Sequence, residues 1–384
     1  MISKLLQIFL ATVLTLLAPL ATALTPAPPE LSAKAWILVD ADTGEILVEH
    51  NANEQLEPAS LTKMMTSYIV SKDIHQGKIS EQDMVPISVN AWRMGGSKMF
   101  IREGTEVKLI DLLRGVIIQS GNDASVALAE YVAGSEGAFA DVMNQQAQLL
   151  GMNNTNYENA TGWPAEGHLT TAYDLSLLAR ALIKDHPEHY SIYAEKYFKY
   201  NIDKPQPNRN RLLWRDKSVD GIKTGHTEAA GYCLVSSALR DGMRLVAVVM
   251  GTDSDEARAR ESQKLLSYGF RYFESAKVFN AQQVMQENAR VWYGESENLN
   301  LVVAEETQLT VPYGAAKKLQ IDVNAPEQIE APVALGQQLG TVTVSYDGEL
   351  LRELPLVADR EIPEAGFFAR MWDSIKLFFV GIFS

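Results

Sequence analysis

Two short apolar runs, Trp36 to Val39 and Ile46 to Val48, read as strands joined across Asp42-Thr43-Gly44, a hairpin signal. Behind Pro58-Ala59-Ser60 the pattern changes period. Leu61 to Ile74 carries apolar residues at helical spacing and is dense in helix formers. From about Val107 to Leu150 the pattern stays helical, with breaks at Gly121 and Gly134, and Tyr173 to Ile183 predicts another amphipathic helix. Strand character returns at Gly231 to Leu239 and Arg244 to Met250, linked by an Asp241-Gly242 turn, before a helix over Ala257 to Phe273. Past Ser275 the composition shifts to short alternating strands: Gln308 to Val311, Leu319 to Val323, and Thr341 to Tyr346, which turns at Asp347-Gly348 into Glu349 to Val357. This reads as a small all-β domain, a spacer or interaction module, since no nucleophile and base come together in it.

The two ends differ from this pattern. Lys4, the apolar run Leu5 to Leu20 and the small-x-small Ala21-Thr22-Ala23 form a signal peptide with cleavage expected after Ala23, the alternative being an uncleaved anchor. From Gly366 to Ser384, Phe367, Phe368, Met371, Trp372, Ile375, Phe378, Phe379 and Ile382 recur at three- and four-residue steps. That spacing predicts an amphipathic helix lying in a membrane interface; a helix docked on its own protein is the alternative. The expected division is therefore residues 1–23 signal, 24–274 catalytic, 275–362 all-β and 363–384 anchor.

Charge narrows the function. The 384 residues carry a formal net charge of −14 and no cationic cluster, which argues against nucleic acid as a partner. The six histidines (His50, His75, His168, His186, His189, His226) show no metal-binding spacing, and neither metal nor other cofactor is expected. The lone Cys233 sits in an apolar stretch and reads as a buried, inert thiol. Export without a disulfide points to a bacterial envelope.

Three short motifs carry the candidate chemistry. In Ser60-Leu61-Thr62-Lys63, at a helix start, the i, i+3 spacing lets the Lys63 amine reach the Ser60 hydroxyl. A serine needs a base to become a nucleophile, and a lysine whose pKa is lowered by burial supplies one. Ser120-Gly121-Asn122 breaks two helical stretches and offers a hydroxyl for proton relay and an amide for a substrate carbonyl. Ser88-Val89-Asn90 fits the same pattern but is set aside because Ile87 to Val89 reads as extended. Lys223-Thr224-Gly225-His226 precedes the second hairpin: a cation and a hydroxyl for a carboxylate, then a glycine that lets a peptide backbone lie along the strand edge. Each motif alone has a bland reading as cap, turn or strand end; the three in this order do not.

With these motifs the chain resembles the serine D-alanyl-D-alanine carboxypeptidases, low-molecular-mass penicillin-binding proteins related to serine β-lactamases. The likeness extends to Asn208-Arg209-Asn210, Val219-Asp220-Gly221-Ile222, the β domain and the amphipathic tail. It implies a β-lactamase-like α/β domain, an antiparallel sheet flanked by helices with a helical subdomain, followed by the all-β domain and the tail helix. It also implies Ser60 as acylated nucleophile, Lys63 as its base, Ser120 and Asn122 on one cleft wall and Lys223 with Thr224 on the other. The oxyanion site would be the backbone N–H groups of Ser60 and His226. Arg209 and Arg244 are candidate cations for the substrate carboxylate, or ordinary surface arginines. Peptidoglycan stem peptides and β-lactams are the implied partners, at the outer face of the inner membrane.

Two rivals remain. A class A β-lactamase would need a water-holding loop, which Glu166-Gly167-His168-Leu169-Thr170 imitates with Thr170 in place of the partner Asn. A catalytically idle envelope scaffold is the other, and the intact Ser60, Lys63, Ser120 and Lys223 argue against it. Endopeptidase activity on D-Ala crosslinks would use the same chemistry.

Overall fold

The computed structural model describes residues 25–383, so the expected signal segment lies outside the described residues. Strand β1, Ala35–Asp40, is buried along its whole length. Its alternate side chains enter two different cores: Ile37 and Val39 one, Trp36 and Leu38 the other. A strand covered on both faces needs a continuous apolar run, which is why no polar alternation marks it. With β2 (Ile46–His50), β3 (Val219–Thr227), β4 (Gly231–Arg240) and β5 (Met243–Thr252) it forms a five-stranded antiparallel sheet in the order β2-β1-β5-β4-β3. Strand β3, which carries the Lys-Thr-Gly motif, is therefore an edge.

One face of the sheet packs on Asp255–Tyr272, through Ala259, Leu265 and Leu266. The other packs on a helical layer: α1 (Lys63–His75), α2 (Leu109–Ile118), α3 (Asn122–Ala133), α4 (Glu136–Leu149) and α5 (Ala172–Asp185). The helical stretch expected from Val107 to Leu150 divides at the expected breaks: Gly121 precedes α3 and Gly134 ends it, while Val107 itself belongs to a short strand, Glu106–Lys108. Ser88, expected in an extended segment, caps a short helix, Val89–Arg93, by accepting from Ala91 N at 3.0 Å. Its hydroxyl and the Asn90 amide both donate to Glu130, so this second Ser-x-Asn is occupied away from the cleft.

From Phe273 to Ala358 the chain is built of strands with one short 3-10 turn, as the alternation predicted, but the unit begins earlier than the alternation showed. Phe273–Phe279, Gln283–Trp292 and Asn298–Val303 are strands that the sequence reading did not single out. Gln283–Trp292 and Asn298–Val303 join Gln320–Asn324, Ile329–Glu330, Gln338–Tyr346 and Glu349–Ala358 in a six-stranded sheet over a core that includes Leu299, Leu301, Val342, Val344 and Leu356, while Phe273–Phe279 pairs separately with Thr307–Pro312. The catalytic-side hairpin braces this unit. Thr310 Oγ1 donates to the buried Asp40 carboxylate at 2.9 Å and meets Thr43 Oγ1 at 2.7 Å.

The last described helix, Phe367–Phe383, touches the β unit through Asp373, which accepts from Tyr293 N at 3.0 Å and pairs with Lys376 at 3.2 Å. Asp373 is thus buried against the protein, while Phe367, Phe368, Met371 and Trp372 are exposed. Among the described residues no helix is long and apolar enough to cross a membrane.

Candidate active site

Ser60 lies in a 3-10 turn, Ala59–Thr62, that leads into α1. The expected helix over Leu61 to Ile74 thus starts as a tighter coil, and the turn projects Ser60 half-exposed at the helix entrance. One helical turn on, Lys63 is only 1% exposed, and its Nζ lies 3.2 Å from Ser60 Oγ. The same amine donates to Asn122 Oδ1 at 2.7 Å and to the Thr161 carbonyl at 2.5 Å. Burial pushes the Lys63 pKa down to about 7, Arg209 adds to the fall, and Asp123 and Glu136 pull it back. A lysine in this state is a base at neutral pH, which no exposed lysine is.

The second motif meets the first through Asn122, at the start of α3. Ser120 adopts a left-handed φ of +59°, and its hydroxyl is buried without a hydrogen-bond partner in the protein. An unpaired hydroxyl held in an uncommon backbone conformation on a cleft wall is available to a substrate. Asp123 holds this corner in place. Its carboxylate accepts from the backbone N–H groups of Met99, Phe100 and Ile101 at 3.0, 2.9 and 3.2 Å.

The third motif closes the cleft from the sheet edge. Lys223 is buried, and burial first, then Lys63, Arg209 and Arg258, holds its pKa well below the usual lysine range. Gly225 explains how β3 comes so near the Ser60 turn: a Cβ there would stand 2.9 Å from the Pro58 carbonyl oxygen. The cleft measures about 460 Å³ and is lined by Ser60, Ser120, Arg209, Thr224, His226 and Arg258, among others. His226 stacks on Tyr232 with ring centroids 3.9 Å apart.

Arg244 is not brought into this cleft. It faces Leu239 near the far end of β5, while the cleft end is marked by Tyr232 opposite Thr252. Its guanidinium is engaged there by Asp220 Oδ1 at 2.9 Å and Ser237 Oγ at 2.8 Å. The cation that joins Arg209 is Arg258, which donates to the Gly225 carbonyl at 3.1 Å and pairs with Asp255. Sequence reading missed it because its place depends on how the helix after β5 folds back on the sheet; the only local trace is Asp255 three residues earlier.

The water-holding loop of the β-lactamase reading is not assembled. Glu166 is exposed, and Thr170 is buried with its hydroxyl on Thr155 at 2.8 Å. His168 meets Thr62 Oγ1 at 2.8 Å and accepts from Glu158 N at 3.1 Å; burial pushes its pKa down to about 4, so it is neutral. Cys233 is buried, its thiol pushed up to about 11 by burial, and it takes no part in the cleft.

Gly162 yields a direct prediction. It holds φ at +79°, and a Cβ there would fall 1.8 Å from the Ala59 carbonyl oxygen. Gly162→Ala is therefore expected to destabilise the fold by about 3 kcal/mol or more, from backbone strain together with displacement of the Ser60 turn. Thermal unfolding of the variant checks this, and an unchanged midpoint would contradict the packing described.

A chain with this sheet, helical layer and Ser-Lys-Ser-Asn-Lys cleft is of the penicillin-binding class. Residues 22–254 match the family described as D-alanyl-D-alanine carboxypeptidase, and residues 273–364 match the C-terminal domain of penicillin-binding protein 5. The D-alanyl-D-alanine carboxypeptidase DacC of Escherichia coli (strain K12) is 44% identical over 376 residues, 95% of this chain and 94% of that protein. The structure of penicillin binding protein 5 from Haemophilus influenzae superposes with a TM-score of 0.84 at 40% identity, covering 88% of this chain and 100% of that one. Penicillin-Binding Protein D2 from Listeria monocytogenes, in its ampicillin-bound form, is 30% identical with a TM-score of 0.58, over 63% of this chain and 100% of that one. The chain belongs to the D-alanyl-D-alanine carboxypeptidase family: it is a serine-type carboxypeptidase of the low-molecular-mass penicillin-binding proteins.

Proposed function

We propose that this carboxypeptidase removes the terminal D-Ala of peptidoglycan stem pentapeptides through an acyl-enzyme on Ser60. The carrying observation is the Lys63 amine, buried, 3.2 Å from Ser60 Oγ and depressed in pKa to about 7. Neutral Lys63 takes the Ser60 proton as Oγ attacks the carbonyl carbon of the penultimate D-Ala. The negative charge developing on that carbonyl oxygen is met by the N–H groups of Ser60 and His226, each donor of this kind being worth about 3–4 kcal/mol. The unpaired Ser120 hydroxyl relays the proton to the departing amine, and Asn122 holds the substrate carbonyl. Lys223, Thr224, Arg209 and Arg258 take the terminal carboxylate, and Gly225 leaves room for the peptide along β3. Water then releases the shortened peptide.

Penicillin acylates the same serine. Its leaving amine stays tethered to the acyl group, and with Glu166 exposed nothing on that loop delivers water quickly. The relative bound to ampicillin supports this reading. Trimming pentapeptides removes donors for crosslinking, and so bears on wall architecture and cell shape. Incubation with a pentapeptide ending in D-Ala-D-Ala should release one D-Ala per peptide, and prior penicillin should block it. Absence of free D-Ala would refute the substrate.

The catalytic part, residues 24–274, and the β unit, 275–362, work at the outer face of the bacterial inner membrane in this proposal. The tail, 363–384, holds them there peripherally. Supporting this are Phe367, Phe368, Met371 and Trp372, four large apolar side chains left exposed on one helix. Deleting Gly366 to Ser384 should free the protein from membranes and leave turnover of soluble peptide within about twofold. Fractionation with parallel assays decides it: a truncated protein that stays bound places the membrane contact elsewhere.

A further inference from the structure

Lys63 must present its lone pair, not an N–H, to the Ser60 hydroxyl. A neutral amine has two N–H bonds and one lone pair. With Asn122 Oδ1 as sole acceptor, rotation about that one hydrogen bond would exchange the lone pair with the second N–H. A second acceptor removes this freedom, and the Thr161 carbonyl at 2.5 Å is that acceptor. What fixes the carbonyl is one side chain outside the motifs. Asn159 Oδ1 takes the backbone N–H groups of Thr161, Gly162 and Trp163 at 3.1, 2.8 and 3.1 Å, and the Thr161 hydroxyl at 2.9 Å. Its Nδ2 returns a bond to the Trp163 carbonyl at 2.9 Å. The turn so tied also seats Gly162 against Ala59, beside the nucleophile, and Trp163 against Gly95 and Gly96. Gly95 in turn receives the Asn122 amide at 2.8 Å.

We propose that Asn159 is a positioning residue for the Ser60–Lys63 pair, locking the Thr161–Trp163 turn so that the Thr161 carbonyl aims the Lys63 lone pair at Ser60. This rests on the acylation mechanism above. It makes the turn part of the machinery, although no residue of the turn reacts.

The test is the rate of Ser60 acylation by a fluorescent penicillin from about pH 5 to 9, with thermal unfolding measured on the same samples. The titratable and charged groups facing Lys63 are Arg209 from the loop before β3, Lys223 on β3, Asp123 at the start of α3, Glu136 at the start of α4, and His168, whose Nδ1 lies 3.4 Å from Asn159 Nδ2 and whose pKa burial holds at about 4; all stay in place. Asn159→Ala should lower the alkaline plateau about 10- to 100-fold, the scale expected for a misaimed base. Asn159→Asp keeps the acceptor and should recover most of that loss. Its added carboxylate near the ammonium should move the acid limb up by about one pH unit. A folded Asn159→Ala enzyme with the wild-type plateau overturns the proposal. If Asn159→Ala does not fold, Asn159→Gln decides, since it carries the amide oxygen one methylene away from the turn: an alkaline plateau lowered about 10-fold or more supports the proposal, and the wild-type plateau overturns it. A wild-type enzyme that acquires no label on Ser60 refutes the mechanism itself, an outcome distinct from either.

Discussion

Ser60→Ala should abolish covalent labelling by penicillin and lower D-Ala release by about 10⁴-fold or more. The size follows from the site's geometry. Among the described serines it is Ser60 that has the Lys63 amine at 3.2 Å, whereas the Ser120 hydroxyl has no hydrogen-bond partner in the protein and hence no base in contact. Removing the nucleophile leaves only binding and oxyanion donors, which cannot form the ester. The change deletes one half-exposed oxygen, so folding should be kept, and loss of activity with an intact unfolding transition is the expected pairing. Substantial residual D-Ala release by the folded variant would mean that another group attacks.

Lys63→Met should lower acylation by about 10³–10⁴-fold, since methionine keeps the length and apolar stem but has no lone pair on nitrogen. The pH dependence makes the test specific. In the wild-type protein the base works only when neutral, and its pKa sits at about 7. Below that value the neutral fraction falls tenfold per pH unit, so acylation should drop with unit slope towards acid and flatten towards alkali. The residual rate of Lys63→Met should lose this limb. A limb that persists near neutrality would assign the titration to another group. Lys223 is the neighbour to consider, since burial also holds its pKa well below the usual lysine range; its amine donates to the Thr224 carbonyl at 3.2 Å and not to Ser60, so Lys223→Met should keep the limb.

What could be read from the chain and what could not divides on physical lines. Strands and helices whose apolar period is local were legible: Trp36 to Val39 falls within β1, and Tyr173 to Ile183 falls within α5. The three motifs were legible because the chemistry needs particular side chains at short spacing. The strands from Phe273 to Val303 were not, since they lack clean alternation: the bulged Gln283–Trp292 pairs irregularly with its neighbour. Arg258 and Arg244 show the other limit. Both are arginines near β5, and only the packing of the following helix turns Arg258 toward Gly225, while Asp220 holds Arg244 at the opposite end. Asn159 and Asp123 act through backbone N–H groups of loops, and nothing in a side-chain pattern announces such clamps. Ser120 was found by motif, but its left-handed φ and unpaired hydroxyl are products of the fold.

The most direct test of the account is to locate the penicillin adduct. The protein is incubated with benzylpenicillin, quenched in acid, digested and read by peptide mass spectrometry. A single penicilloyl group is expected on the peptide containing Ser60, absent in Ser60→Ala and slow to disappear after the drug is removed. An adduct on Ser120 or elsewhere, or none while penicillin is rapidly consumed, would contradict it.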